Sequence, residues 1–428
     1  MKRIALLLTL PGFLSLGHAQ EPTPAINGYI TRAVSRGNFD VNGIRVISTP
    51  RTEFVVKKVA ADGSIRASGA LYLGMPIQVF GDMNHNEHTV TAARVVMLEA
   101  ESPTVVKGFG LIDRLLMPIS SEGPGRQSIL VRADGYAVQV DEKTSSVFTA
   151  PLASLDEIHT DVWLSFSGQQ RADGVVVADK VVFVENEINE GEVKLRDKSE
   201  YDAAGVDPDA KQNLVHEAFI GWDPKKAHPY VNAEMQNRVN RIGASLVPEY
   251  QRSLPNSDPT KVQFRFQLID KSRLKDAVAL PSGIILVPWQ VVERMQNDSQ
   301  LAAVLADNIA CTLEKQVYLA QSTNHKMLAA LVASEAAGVF VPGLGAAAWG
   351  TEAGANSVRA RRAENKTGRI ALGLMNDAKY DINQAPLGWW LLASKNPKPL
   401  KQIELPARAA NLYRIIGENW RSGSPLRQ

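Results

Sequence analysis

Three polar residues interrupt an apolar helical pattern in LAAVLADNIACTLEK, Leu301 to Lys315: Asp307, Asn308 and Cys311. Positions i and i+4 share one side of a helix, so Asp307 and Cys311 stand one turn apart, a carboxylate and a thiol able to ligate a transition metal. Asn308 has no ionisable proton acceptor and cannot act as a general base. Cys311 as a nucleophile would need a neighbouring base or a helix N-terminus, yet it lies about three turns into its helix, and His325 would sit roughly 20 Å further along. Nothing in the sequence ties His216 or His228 to it, and an inert, buried thiol is the favoured reading. His85 and His88 occupy the polar turn Asn84-His85-Asn86-Glu87-His88, with no third ligand at metal spacing, and read as a solvated loop.

The elements that must position these residues are short. Asp298 or Ser299 caps a helix whose apolar face runs through Leu301, Val304, Leu305, Ile309 and Leu313. Upstream, Val239, Ile242, Leu246 and Tyr250 recur at helical spacing, followed by a strand from Val262 to Ile269 and a loop and strand between Asp276 and Val287. A small sheet supporting a central helix is expected, an α+β arrangement. Trp389, Trp390, Leu391 and Leu392 form the apolar face of a late helix. The end of the chain, with Gly423, Ser424 and Pro425, reads as a frayed polar tail.

The front half has a different texture, with β-branched runs separated by Gly, Asn and Asp, and it repeats itself. Gly28 to Val34 matches Gly110 to Leu116. Gly43, Val46, Arg51 and Thr52 match Gly135, Val138, Lys143 and Thr144. Gly81 and Ala92 through Val96 match Gly168 and Ala178 through Val182. The expected organisation is a signal peptide over 1–19, a small β domain over 26–100, a second over 104–186, a linker over 187–209, and a mainly helical domain over 210–428. The β domains resemble the OB-like β domains of unknown function found in tandem in secreted bacterial proteins, each a barrel or sandwich.

MKRIALLLTLPGFLSLGHAQ has the basic start, short apolar run and small residues of a secretory signal cleaved after Ala19, which places the mature protein in the periplasm or outside the cell. A single cysteine excludes an internal disulfide framework. A formal net charge of +2, without a basic cluster interleaved with aromatics, argues against nucleic acid; Arg359, Arg361 and Arg362 read as a solvated helix face. The apolar stretch Met327 to Gly350 is broken by Glu335 and by Pro342-Gly343, so it reads as two packed helical segments and not as a membrane span.

From about Asn232 to Arg414, the order of strand, ALPSGIILVP, helix and LAAVLADNIACTLEK, then an Ala/Gly-rich stretch, Arg361 to Gly368, and Lys379-Tyr380-Asp381-Ile382, resembles the zinc metallopeptidases related to HtpX and the CAAX prenyl proteases, including periplasmic BepA-type members. The resemblance implies a zincin fold. In that family two His at i and i+4 and a Glu beside the first build the metal site and its general base. Here those positions fall on Asp307, Cys311 and Asn308, and the third-ligand Glu falls on Lys366. A lysine brings a positive charge to where the metal would sit, and Glu364, two residues away, is turned by roughly 200°. The resemblance therefore implies a catalytically degenerate member with no metal and no catalytic residue.

Two further expectations follow from it. An Asp307–Lys366 ion pair would take the old metal position. Ser282, Gly283, Ile284 and Ile285 would edge a groove able to take an extended peptide by β-addition. A peptide- or protein-binding module of the cell envelope is the expected function, without cofactor or nucleic acid. An active metalloendopeptidase with non-standard zinc ligands, or a structural envelope protein, are the alternatives.

Overall fold

The computed structural model describes residues 23–58, 71–99, 104–121, 127–202, 228–270, 276–321, 353–393, 405–420 and 424–427. The expected signal peptide, His216, His325, Met327 to Gly350 and residues 203–209 of the expected linker lie outside them. Among the described residues no helix is long and apolar enough to cross a membrane.

Strands β1 (Ile26–Ser35), β2 (Asn38–Val41), β3 (Ile44–Lys58), β4 (Pro76–Asn84) and β5 (Thr89–Glu99) close into a barrel in the order β1-β2-β3-β5-β4, with β4 returning to β1. Alternation sends Ile30, Phe39, Val41, Val46, Ile77, Val79 and Val95 inside, all fully buried. The second set, β6 (Thr104–Ser121), β7 (Gln127–Ala133), β8 (Tyr136–Val140), β9 (Ser145–Phe148), β10 (Trp163–Gln170) and β11 (Val175–Val184), makes the same circuit. The ring β10-β6-β7-β8-β11 closes through a β10–β11 pairing, and β9 lies beside β11.

The repeat read from the sequence is reproduced at the level of single bonds. Asn42-Gly43 and Asp134-Gly135 are the two-residue turns between β2 and β3 and between β7 and β8, with φ of 50° and 77° in one and 52° and 71° in the other. Thr52 Oγ1 donates to Ala92 O at 2.6 Å, and Thr144 Oγ1 to Ala178 O at 2.9 Å. The antiparallel register slips at Gly81 in the first barrel and at Gly168 in the second. Closure gives every strand of each ring a neighbour on both sides.

The helical region follows. A four-stranded sheet has the order β12 (His228–Pro229), β13 (Arg265–Asp270), β15 (Ile284–Pro288), β14 (Val278–Ala279), with β13 and β15 parallel. Against it pack α2 (Ala233–Leu246) and α5 (Asp298–Leu313), with α1 (Glu190–Lys198), α3 (Glu249–Ser253), α4 (Trp289–Arg294), α6 (Gln316–Gln321), α7 (Ala353–Asp377), α8 (Ala385–Ala393) and α9 (Ala407–Asn419) around them. Val239, Ile242 and Leu246 are buried from α2, as the periodicity predicts, and Tyr250 from α3. The Gln236 side chain covers part of the outer edge of β13, donating to Phe266 O at 2.8 Å and accepting from Leu268 N at 2.9 Å.

Four expectations need correction. The segment read as a linker contains α1, capped by Asn189, whose side chain accepts from Glu192 N; its charge run holds the i,i+4 pairs Glu190–Lys194 and Glu192–Arg196, a helical pattern. The first-sheet strand begins at Arg265. The cap of α5 is Asn297, whose side chain accepts from Gln300 N, one residue before the expected position. Ser424 and Leu426 in the expected frayed tail are buried, and Ser424 Oγ donates to Asn419 O at 2.7 Å, so this end is docked.

The two barrels meet the helices through the same turn. Gly43 abuts Trp390 of α8, and Gly135 abuts Arg369 of α7, where an added Cβ would lie 2.5 Å from the arginine's own Cβ. The second barrel goes further. Ile129, Val131, Val138 and Val176 point into the barrel, while their strand neighbours Leu130, Ala137 and Val175 join the core of the helical region, so these strands are buried on both faces. Gly135→Ala adds a clash to an unfavourable left-handed backbone, and denaturant titration is expected to show a loss of at least about 2 kcal/mol. Gly37→Ala, where the nearest atom is 3.9 Å away, is expected to stay within about 0.5 kcal/mol of the parent.

Candidate functional site

On α5, Asp307 and Asn308 are buried and Cys311 is half-buried. The helix forms because small and branched apolar residues fill every other inward position, from Leu301 to Ala310. Asn308 is spent within it: its Nδ2 donates to Val304 O at 2.9 Å, four residues back. The Asp307 carboxylate meets a residue that sequence reasoning did not single out. Arg408 of α9 reaches Asp307 Oδ2 with Nη2 at 2.5 Å and Asp276 Oδ2 with Nη1 at 3.2 Å. The guanidinium lies 3.2 Å from the centroid of the Trp389 ring, which shields it and adds a cation–π attraction. Asp307 Oδ1 is left without a hydrogen-bond partner.

The expected Asp307–Lys366 pair does not form. Lys366, on α7, pairs instead with Glu314 at the C-terminal end of α5, Nζ to Oε2 at 2.5 Å. The reason lies in the helix: Glu314 is seven residues beyond Asp307, two turns along the same side, and it faces the second barrel. Its Oε1 accepts from Leu111 N of β6 at 3.0 Å. The Lys366 ammonium lies over the stacked rings of Phe109 and Trp163, 5.1 and 5.8 Å from their centroids. The next residue, Lys315, pairs with buried Glu192 of α1 at 2.8 Å. Two adjacent charges at the end of α5 thus fasten a barrel, a helix and the expected linker.

Farther along α7 the same stripe continues. Arg369 pairs with Asp134, and its guanidinium lies 4.7 Å from the Tyr136 ring centroid. Arg132, fully buried on β7, donates to Asp113 Oδ1 at 2.8 Å and to Asp377 Oδ2 at 2.6 Å, and Gly373 gives it room. Arg114 also pairs with Asp377.

The proposed peptide edge is occupied. Ile284 and Ile285 belong to β15, which is interior to its sheet: Ile285 is paired with Phe266 on one side and Ala279 on the other. One face of the strand, Ile285 and Val287, joins the main core; the other, Ile284 and Leu286, packs on Tyr201, Ile269 and Leu280. Ser282 is fastened to the C-cap of α1, its N donating to Ser199 Oγ at 2.9 Å and its Oγ to Ser199 O at 3.1 Å. Gly283 turns with φ 96° against Val262. Strand addition at these residues has no free edge to use, because the short β14 and the segment around Tyr201 already take both the edge and the outer face.

The donor set does not fit a zinc ion. The carboxylate at Asp307 is neutralised by a guanidinium, the position equated with the third ligand is an ammonium paired elsewhere, and burial pushes the Cys311 thiol up to about 12, so it carries a proton at neutral pH. Among the described residues no three His, Cys, Asp or Glu side chains are grouped for metal binding. His85 is exposed in its turn, and His88 has φ 52°. Sequence reasoning missed Arg408, Glu314 and Arg132. Arg408 sits beside the buried Ala409 in an otherwise ordinary amphipathic helix, with no local signal.

Comparison with known proteins adds one match. Residues 27–96 match a family described as a domain of unknown function (DUF5666), a span running from β1 into β5 and therefore the first barrel. No curated protein matches the chain.

Burial drives the Glu314 carboxyl up to about 7 from 4.5, with Lys366 opposing the shift. The folded state holds this proton more tightly than the unfolded chain, so its contribution to stability is largest below about pH 4.5 and is lost as pH rises toward 7. Glu314→Gln removes that dependence: relative to the parent, the variant is expected to gain on the order of 3 kcal/mol between pH 4.5 and 7.5 in denaturant titrations. Arg408→Met strands Asp307 beside Asp276 and is expected to lose about 3–5 kcal/mol. Adding Asp307→Asn returns part of that loss, which a double-mutant cycle measures.

Proposed function

We propose that the chain is a non-catalytic binding protein of the bacterial cell envelope, with a metallopeptidase-like helical region behind tandem OB-like barrels. The observation that carries this reading is Arg408, whose guanidinium occupies the carboxylate at Asp307 while Lys366 is drawn away to Glu314. A hydrolase of the metal-dependent kind needs a cation of open coordination and a base beside it. Here a fixed organic cation takes the place of the first, and Asn308 takes the place of the second. The barrel arrangement is compatible with the OB-like reading, and the match over residues 27–96 supports a modular front half. Binding by strand addition to Ile284 and Ile285 is set aside, since that strand is paired on both sides. Partners of such a protein are peptides or proteins met in the envelope, and no cofactor enters the reading.

Elemental analysis of the purified chain after dialysis is expected to find zinc far below one ion per chain, and a casein assay with added zinc is expected to show no cleavage. Stoichiometric zinc together with metal-dependent proteolysis would sink the proposal in favour of an active metalloendopeptidase. Fractionation of the native host is expected to recover the protein from the periplasm or medium with its N-terminus at Gln20.

A further inference from the structure

Where the second barrel meets the helical region, the carboxyls of Asp113, Asp134, Glu192 and Glu314 each face a guanidinium or an ammonium. Asp161 does not. It is buried in the turn that enters β10, and among the described residues it makes no ion pair. Its Oδ1 accepts from Asn186 Nδ2 at 2.9 Å, and Asn186 Oδ1 accepts in turn from Trp163 Nε1 at 3.1 Å, so an amide holds this carboxyl where a cation holds the others. The backbone fixes its position: Asp161 N donates to Ile112 O and Ile112 N to Val162 O, both at 2.8 Å. A carboxylate buried without a counter-charge is costly, and such a site favours the neutral acid.

Facing Asp161 is the segment from Pro255 to Val262, which leads from α3 toward β13. Within it Asp258 Oδ1 accepts from Thr260 N and from Thr260 Oγ1, both at 2.8 Å. The Thr260 hydroxyl also faces the Asp161 carboxyl. A hydroxyl has one proton and two lone pairs. With that proton given to Asp258, a carboxylate at Asp161 finds lone pairs beside it, whereas a protonated Asp161 finds an acceptor. The titratable groups around it are Asp258 on the segment, Tyr250 from α3, and Lys315 from the end of α5, whose ammonium is engaged by Glu192 of α1. Tyr250 stays a neutral phenol, because burial drives it well above its ordinary value. Burial likewise pushes Asp161 up to about 6 from 3.8, with Thr260, Asn186 and Lys315 opposing the shift.

We propose that Asp161, Thr260 and Asp258 form a proton-operated latch between the second barrel and the segment that enters β13. With Asp161 protonated, its hydroxyl donates to Thr260 Oγ1, which donates to Asp258 Oδ1, and a continuous chain of hydrogen bonds joins barrel to segment. When Asp161 gives its proton to solvent, the first link is lost and two carboxylates compete for one hydroxyl. The folded chain holds this proton more tightly than a solvated aspartate does, so the contribution of the latch is complete below about pH 4 and is lost as pH rises through about 6. The segment keeps its ties to α1, where Arg196 Nη1 donates to Pro259 O at 3.2 Å, and to α3, where Val262 N donates to Gln251 Oε1 at 2.9 Å. An acidic medium therefore closes this corner, and a neutral one loosens it locally. The latch does not depend on the binding-protein reading, so the metal and casein measurements can fail without touching it.

Hydrogen exchange of the purified full chain, read by mass spectrometry on peptides spanning residues 255–264, tests it. Parent and Asp161→Asn are compared at pH 5 and at pH 7.5, so that the intrinsic pH dependence of exchange cancels in their ratio. Asparagine keeps the acceptor for Asn186, tolerates the left-handed backbone that Asp161 adopts at φ 78°, and supplies a permanent donor to Thr260. The ratio of parent to variant exchange in this segment is expected to rise about 3–10-fold from pH 5 to pH 7.5 and to stay unchanged in peptides of the first barrel. Thr260→Val, at a half-exposed position, removes the relay: exchange in the segment is expected to quicken about 2–10-fold at pH 5, the worth of one hydrogen bond, and to change less at pH 7.5, where the link is already lost. Thr260→Ser, which keeps the hydroxyl, is expected to follow the parent. The proposal is overturned if the ratio of parent to Asp161→Asn is the same at both pH values, if its rise spreads evenly over the whole chain, or if Thr260→Val acts equally at both.

Discussion

Everything else in this molecule is arranged around a line of buried charge between α7 and the second barrel. Lys366, Arg369, Gly373 and Asp377 follow one another at intervals of three, four and four residues, which places them along one side of the helix. They meet Glu314, Asp134 and Arg132, and the Arg132 side chain is 1% exposed. Ion pairs of this kind add little net stability, because each charge first loses its water. Their effect is on geometry. A helix that slid or rotated by one residue would leave several charges buried and unpaired at once, and together such losses reach the order of a typical protein's whole stability margin. Apolar contact between Leu130, Ala137, Val175 and the helices supplies the attraction, and the charges select a single register for it.

That constraint explains why α5 ends as it does. Glu314 serves the seam and Lys315 serves α1, and together they fix the C-terminal end of the helix that carries Asp307, Asn308 and Cys311. Arg408 fixes the same helix from the opposite direction, through α9. The helix is thus held at its polar end by two ion pairs and in its middle by a third. The polar residues of LAAVLADNIACTLEK are accounted for by packing and pairing, with one carboxylate oxygen of Asp307 as the remainder.

How much of this was legible depended on the distance over which each signal acts. The barrel repeat could be read because its determinants are local: a turn that needs positive φ writes Asn-Gly or Asp-Gly, and the slip in the closing strands writes Gly81 and Gly168. The helix at Leu301 was legible for the same reason. Long-range pairing was not. Lys366 was matched to the wrong acid, since nothing in one sequence ranks Asp307 against Glu314. The run Ile284 to Val287 did contain a warning against an exposed peptide edge, because an apolar stretch without alternation is the mark of a strand covered on both faces, and β15 is one. The charge run at Glu190 looked like linker because burial of Glu192 against Lys315 is decided more than a hundred residues away.

The two barrels show what the seam has done to an otherwise repeated unit. With Gly43 aligned to Gly135 and Val46 to Val138, Asn38, Asp40 and Arg45 of the first barrel occupy the positions of Leu130, Arg132 and Ala137 in the second. The inward residues Val46 and Val138 are equally buried, so the barrel interior has been kept. The outward residues have separated. In the first barrel Asp40 is held at the surface between Arg32 and Arg45, at 2.7 and 2.5 Å, an arrangement that water tolerates and salt weakens. In the second, the same strand face is apolar around one arginine that solvent does not reach. A strand face cannot be both a solvated surface and a wall of another domain's core, so the choice made at three outward positions turns one copy into part of the helical core and leaves the other with its own surface.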